Sequence, residues 1–160
     1  MRRIELDGRV VERGGQQFVS GRGSMADGWT EIHRIEPHGF ASHPVKGGKA
    51  LLLPMPGNPD IAYVLGGENP ANRPGNLPQG GTALYDASGN IIRMVMGDGV
   101  TFDLAGAAYT VRKDGVTFRI SAGGVDIDGG YLKVNGVRVD ETHRHDNVET
   151  GTGTSGTVVP

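Results

Sequence analysis

The sequence predicts an all-β protein, with an N-terminal small barrel or sandwich followed by short strands that have no core of their own. Three observations carry this expectation. First, across 160 residues no window sustains apolar side chains at i, i+3, i+4 and i+7 without a glycine or proline interrupting it. Second, short alternating runs rich in Val, Ile and Thr recur, each bounded by glycine or Asp-Gly. Third, glycine reaches 28 residues, against about 11 expected at the ~7% average. These glycines are dispersed among β-branched residues, as turns require and disorder does not.

The elements follow in order. Residues 9–19 read as a hairpin turning at Gly14-Gly15. Residues 29–35 alternate Trp29, Glu31 and His33 against Thr30, Ile32 and Arg34, the pattern of a strand with one buried face. Residues 50–53 and 61–65 are near-continuous apolar runs, and Pro54-Met55-Pro56-Gly57-Asn58-Pro59 between them supplies a turn. Five or so short strands in about 65 residues suit a small barrel or sandwich. Pro70, Pro74 and Pro78 then mark residues 68–81 as a boundary.

Beyond that boundary the pattern changes. Val100-Thr101-Phe102-Asp103-Leu104 is echoed sixteen positions later by Val116-Thr117-Phe118-Arg119-Ile120, with weaker echoes at Val125/Ile127, Leu132/Val134 and Val137/Val139. Each strand has one apolar and one polar parity. Units this small bury nothing alone, and an exposed stack leaves open edges. Three chains wound about one axis cover both, with Val100, Phe102, Leu104, Val116, Phe118, Ile120, Val125 and Ile127 turned inward. The expected organisation is a barrel over 1–70, a transition over 71–98, a trimeric β-helix or β-prism needle over 99–139 and an apex over 140–160.

The apex carries the chemistry. Thr142-His143-Arg144-His145 precedes a Gly/Thr/Ser tail. In extended chain a His-x-His pair places both imidazoles on one face. Two nitrogens make a poor metal site, but three copies supply six. Imidazole suits Fe, Zn, Cu and Ni, and six nitrogens favour an octahedral ion such as Fe(II) over four-coordinate zinc. His143 and His145 are therefore the candidate metal ligands. A competing reading takes Gly136, His143, His145, Glu149 and Gly156 as the first motif of a cupin-like metalloenzyme. It lacks the downstream histidine and the closing strands a cupin needs.

Composition narrows the function further. Hydrophobic residues are 36% and aromatic residues 6% of the chain, thin for a globule burying its own core. A net charge of −2 gives no electrostatic footprint for nucleic acid or an anionic membrane surface. There is no cysteine, hence no disulfide framework or thiolate metal site. Met1-Arg2-Arg3-Ile4-Glu5 lacks a signal-peptide run, so a protein made and kept in the cytosol, unless something else carries it out, is expected. No G-x-S-x-G stands in the chain, His33, His38 and His43 match neither a strand nor a helix period, and Asp98-Gly99, Asp114-Gly115 and Asp128-Gly129 read as turns. Arg138, Asp140 and Glu141 read as a solvated face. The expectation is a structural protein with no catalytic residues.

Several segments carry a resemblance. Glu36-Pro37-His38-Gly39-Phe40-Ala41-Ser42-His43-Pro44, residues 47–55, Gly80-Gly81-Thr82-Ala83-Leu84-Tyr85-Asp86-Ala87-Ser88-Gly89-Asn90 and the His143-x-His145 tail resemble the Mu-type baseplate assembly, or central spike, proteins of contractile-tail phages. The resemblance implies a homotrimer with an OB-like collar, a triple-stranded β-helix needle and an apex. There one iron ion per trimer is held octahedrally by six nitrogens, from His143 and His145 of each chain. It also implies a virion protein of the tail baseplate that contacts hub and tail tube proteins and pierces the host outer membrane on sheath contraction. A trimeric receptor-binding tail fibre module is the alternative, which sparse aromatics disfavour.

Overall fold

The computed structural model describes residues 2–23, 27–140 and 151, and every regular element among them is a strand. The chain divides into two compact units, Met1–Gly106 and Ala107–Pro160.

In the first unit, β1 (Arg2–Arg13), β2 (Gln16–Gly23), β3 (Gly28–Arg34), β4 (Lys49–Met55) and β5 (Asn58–Glu68) close a barrel in the order β1-β2-β3-β5-β4. The β1–β2 turn falls at Gly14-Gly15 as expected. Their φ values of +59° and +73° are both left-handed, as a two-residue type I′ hairpin demands. β1 is long because it serves two neighbours, pairing with β4 over residues 2–5 and with β2 up to Arg13. A register shift between Leu6 and Val10, with Gly8 at φ +87°, bends it between those tasks.

The barrel core is Ile4, Leu6, Val19, Ile32, Ala50, Leu52, Ala62 and Val64, with Val10 and Trp29 packed against it. Strict alternation along β3 places Trp29 opposite Ile32, yet both contact this core. The reason is a local break: Glu31 adopts φ +52° and the β2–β3 register shifts between Val19 and Gly21, so the parity changes within the strand. The turn expected over 54–59 is shorter in the structure. Pro54 and Met55 stay in β4, and only Pro56-Gly57 turns.

Still in the first unit, β6 (Thr82–Tyr85), β7 (Ile91–Val95) and β8 (Gly99–Asp103) form a three-stranded antiparallel sheet. In the second unit, β9 (Ala108–Lys113), β10 (Val116–Ser121) and β11 (Gly124–Asp128) form another, with β10 central. β12 (Leu132–Val134) and β13 (Val137–Val139) make a final hairpin. Its turn, Asn135-Gly136, has φ +49° and +83°, again type I′. The sixteen-residue echo therefore relates an edge strand of one sheet to the centre of another. At the corner leading to β12 the backbone comes close to the β9–β10 turn, since a Cβ on Gly129 would lie 2.0 Å from the Gly115 carbonyl oxygen.

Candidate functional site

Cross-strand register sorts every strand after the barrel into two faces, because directly opposed residues share a side of the sheet. In the first sheet Leu84, Ile92 and Phe102 form one row, and Met94 and Val100 belong to the next row on the same face. In the second, Val111, Phe118 and Ile127 form a row, flanked by Tyr109, Ile120 and Val125 and by Val116. In the final hairpin Leu132 opposes Val139 and Val134 opposes Val137. These faces are open: Val125 is 61% and Val137 67% exposed. Beyond the barrel, Ile91 is the one buried hydrophobic residue among the described residues.

The reverse faces of the second sheet and the final hairpin are polar, while that of the first sheet mixes Arg93, Thr101 and Asp103 with Tyr85, Val95 and the buried Ile91. Arg93 pairs with Asp103 at 3.3 Å and Arg119 with Asp126 at 3.8 Å, both between neighbouring strands. Tyr131 lies beneath Lys133 and Arg138, and Arg138 also pairs with Asp140. Pairs this exposed contribute little to stability, but they identify the solvated side. Arg138 fits the solvated face expected of it, whereas the Asp140 side chain is largely enclosed, at 12% exposure.

His143 and His145 lie outside the described residues, as do Glu141, Glu149 and Gly156. Among the described residues no cluster of three or more His, Asp or Glu side chains could hold a metal ion. His33, His38 and His43 do not converge on a metal geometry. His33 sits between Phe18 and Tyr63, at ring-centroid distances of 5.4 and 5.8 Å, and His38 and His43 are exposed. All three line an open groove of about 830 Å³ together with the β1–β2 turn and residues 34–43.

Sequence reasoning missed the residue that organises this groove. Arg34 is 8% exposed. Its Nε donates to the Gly66 carbonyl at 2.7 Å, Nη1 to Gln17 Oε1 at 2.8 Å and to the Ser42 carbonyl at 2.9 Å, and Nη2 to Ser42 Oγ at 2.8 Å. Nη1 also lies 2.7 Å from Glu36 Oε1. That same carboxylate oxygen accepts from the Ser42 backbone N–H and hydroxyl. Buried charge is tolerated when it is paired and fully hydrogen-bonded, and here the result is a fixed loop. Ser42, with its hydroxyl committed in both directions, is no nucleophile. The available signal was parity alone, because Arg34 shares the inward parity of Ile32.

The loop between β6 and β7 is held by a second network. Asp86 Oδ1 accepts from the backbone N–H of Ser88 and Asn90, and Oδ2 accepts from Asn90 Nδ2. Asn90 Oδ1 in turn accepts from the N–H groups of Ala105 and Gly106. The Asn90 side-chain hydrogen bond, joined by the backbone donors of Ser88, Asn90 and Gly89, holds the Asp86 carboxyl below the usual carboxylate range. This is structural chemistry, an Asx-type turn that needs both residues.

No curated protein matches the chain. Residues 8–71, which cover most of the barrel, match the family model described as Bacteriophage Mu Gp45, N-terminal. Over these residues the chain is similar to that phage family.

Proposed function

We propose that the protein is the central baseplate spike: a homotrimer whose needle is driven through the host outer membrane when the tail contracts. In this reading residues 1–70 form an OB-like collar docked to hub and tail tube proteins, 71–98 a transition, 99–139 a trimeric β-helix or β-prism and 140–160 the apex. The observation that carries it is the series of open apolar faces from Leu84 to Val139, attached to a barrel that has its own core. Three copies turning those faces to a common axis bury them together and leave Arg93, Arg119 and Lys133 in water.

At the apex, His143 and His145 from three chains supply six imidazole nitrogens to one iron ion. The ion contributes cross-linking rather than reaction chemistry, tying together three chain ends that would otherwise fray. No catalytic role is assigned to any residue. The test is elemental analysis of natively purified protein combined with its native mass. One iron per three chains is expected, and replacing both histidines by alanine removes the metal while the trimer persists. One metal per chain would favour the cupin-like enzyme instead, and a monomer would overturn the spike.

A further inference from the structure

The β4–β5 hairpin is apolar on both sides. Ala50, Leu52, Ala62 and Val64 point into the barrel core. The opposite parity carries Leu51, Leu53 and Met55 on β4 and Ile61, Tyr63 and Leu65 on β5, with Leu51 opposite Leu65 and Leu53 opposite Tyr63. Tyr63 continues the row onto His33 and Phe18 in the neighbouring strands. Met55, Ile61 and Leu65 are exposed. Runs such as Leu51-Leu52-Leu53 are the pattern of strands covered on both faces, yet the barrel covers only one.

We propose that this outer face is a contact between the barrels of associated copies of this chain. Two features choose that occupant. None of the six residues is charged, with Arg3 opposite Leu51 and Lys49 on the same parity marking the patch's edge, and permanent homo-oligomeric contacts are more apolar than transient ones. The patch is also small. Six partly shielded side chains present a few hundred Å², short of the ~800 Å² each partner contributes to a stable complex. Alone it cannot retain a separate protein, but it suffices for a partner already held nearby. A second copy, joined through the open faces of β6 to β13, is held in that way at high effective concentration. The inference rests on the self-association proposed above and adds where the barrels meet.

The test uses the full-length chain, which has no cysteine, so single cysteines can be labelled cleanly. A nitroxide is placed at Leu65→Cys, with Glu12→Cys, an exposed strand position, as control. The native mass of each is measured alongside. In a trimer the label at 65 is expected to be immobilised and the label at 12 mobile. Introducing Leu53→Glu on the same face is expected to free the label at 65 without dissociating the trimer. Equal mobility at 65 and 12 in a trimer overturns the barrel contact and leaves the spike intact. Immobilisation that survives Leu53→Glu also overturns it, because the restriction then arises within the chain. A monomer removes the self-association on which both readings stand.

Discussion

Replacing Arg34 by methionine keeps an unbranched stem, two atoms shorter, and removes every donor. Four hydrogen bonds and one ion pair are lost. More costly is what remains: a Glu36 side chain only 19% exposed, a Gly66 carbonyl without its side-chain donor, and a Ser42 carbonyl left with Gln17 Nε2 alone. Removing one partner of a buried pair costs about 3–5 kcal/mol. Because Glu36 still accepts two hydrogen bonds from Ser42, the lower end applies, about 3 kcal/mol, or a fall in melting temperature of roughly 12–24 °C for a domain of this size. Trp29 is the sole tryptophan and packs on the barrel core, so its fluorescence in a urea titration isolates the barrel. Adding Glu36→Gln removes the stranded charge and should return about 1 kcal/mol or more. A loss under about 1 kcal/mol for Arg34→Met, typical of a surface site, or a double variant no more stable than the single one, refutes the buried-clamp account.

Other consequences can be checked in the same protein. Gly21→Ala puts a Cβ 2.4 Å from the Glu5 carbonyl oxygen, where only backbone can yield. It should destabilise the barrel by about 1–3 kcal/mol, and an unchanged urea midpoint for Trp29 would show the strands are free to part. Ile120→Glu places a charge in the middle of an open apolar face and should convert the proposed trimer to monomer in native mass measurements, while the Trp29 signal stays native. Asp86 has a folded pKa below its ordinary value, so the stabilisation it brings is complete above about pH 4. It is lost as pH falls through the depressed folded value. The amide resonances of Ser88 and Asn90 should shift together in that acid window, and Asp86→Asn should abolish the transition. A shift centred at an ordinary aspartate pKa would count against the network.

Much of the fold was legible because period-two patterning and left-handed turn residues are local signals. Gly14-Gly15 announces its hairpin, and the apolar parity of Val116, Phe118 and Ile120 is the parity the register assembles into one face. Breaks in periodicity were not legible. Glu31 is an ordinary strand residue in sequence, and only its left-handed backbone brings Trp29 onto the core. Arg34 reads as a surface cation until the loop carrying Glu36 and Ser42 folds over it. Its partners include Gln17 and Gly66, separated along the chain and brought together only by barrel closure. The candidate apex, His143-x-His145, is a spacing read from the sequence and lies outside the described residues.

The two-residue turn at Asn135-Gly136, and the short connections between β9, β10 and β11, have a bearing on how copies would meet in the proposed trimer. A slip of one residue would send every apolar side chain to the wrong side. Here each chain settles that choice by itself, through contacts between near neighbours in sequence, which form in microseconds. Chains that collide therefore arrive already sided, and the encounter has only to match one greasy surface to another. The hazard of mispaired hybrids is confined to the brief interval before a chain's own hairpins close.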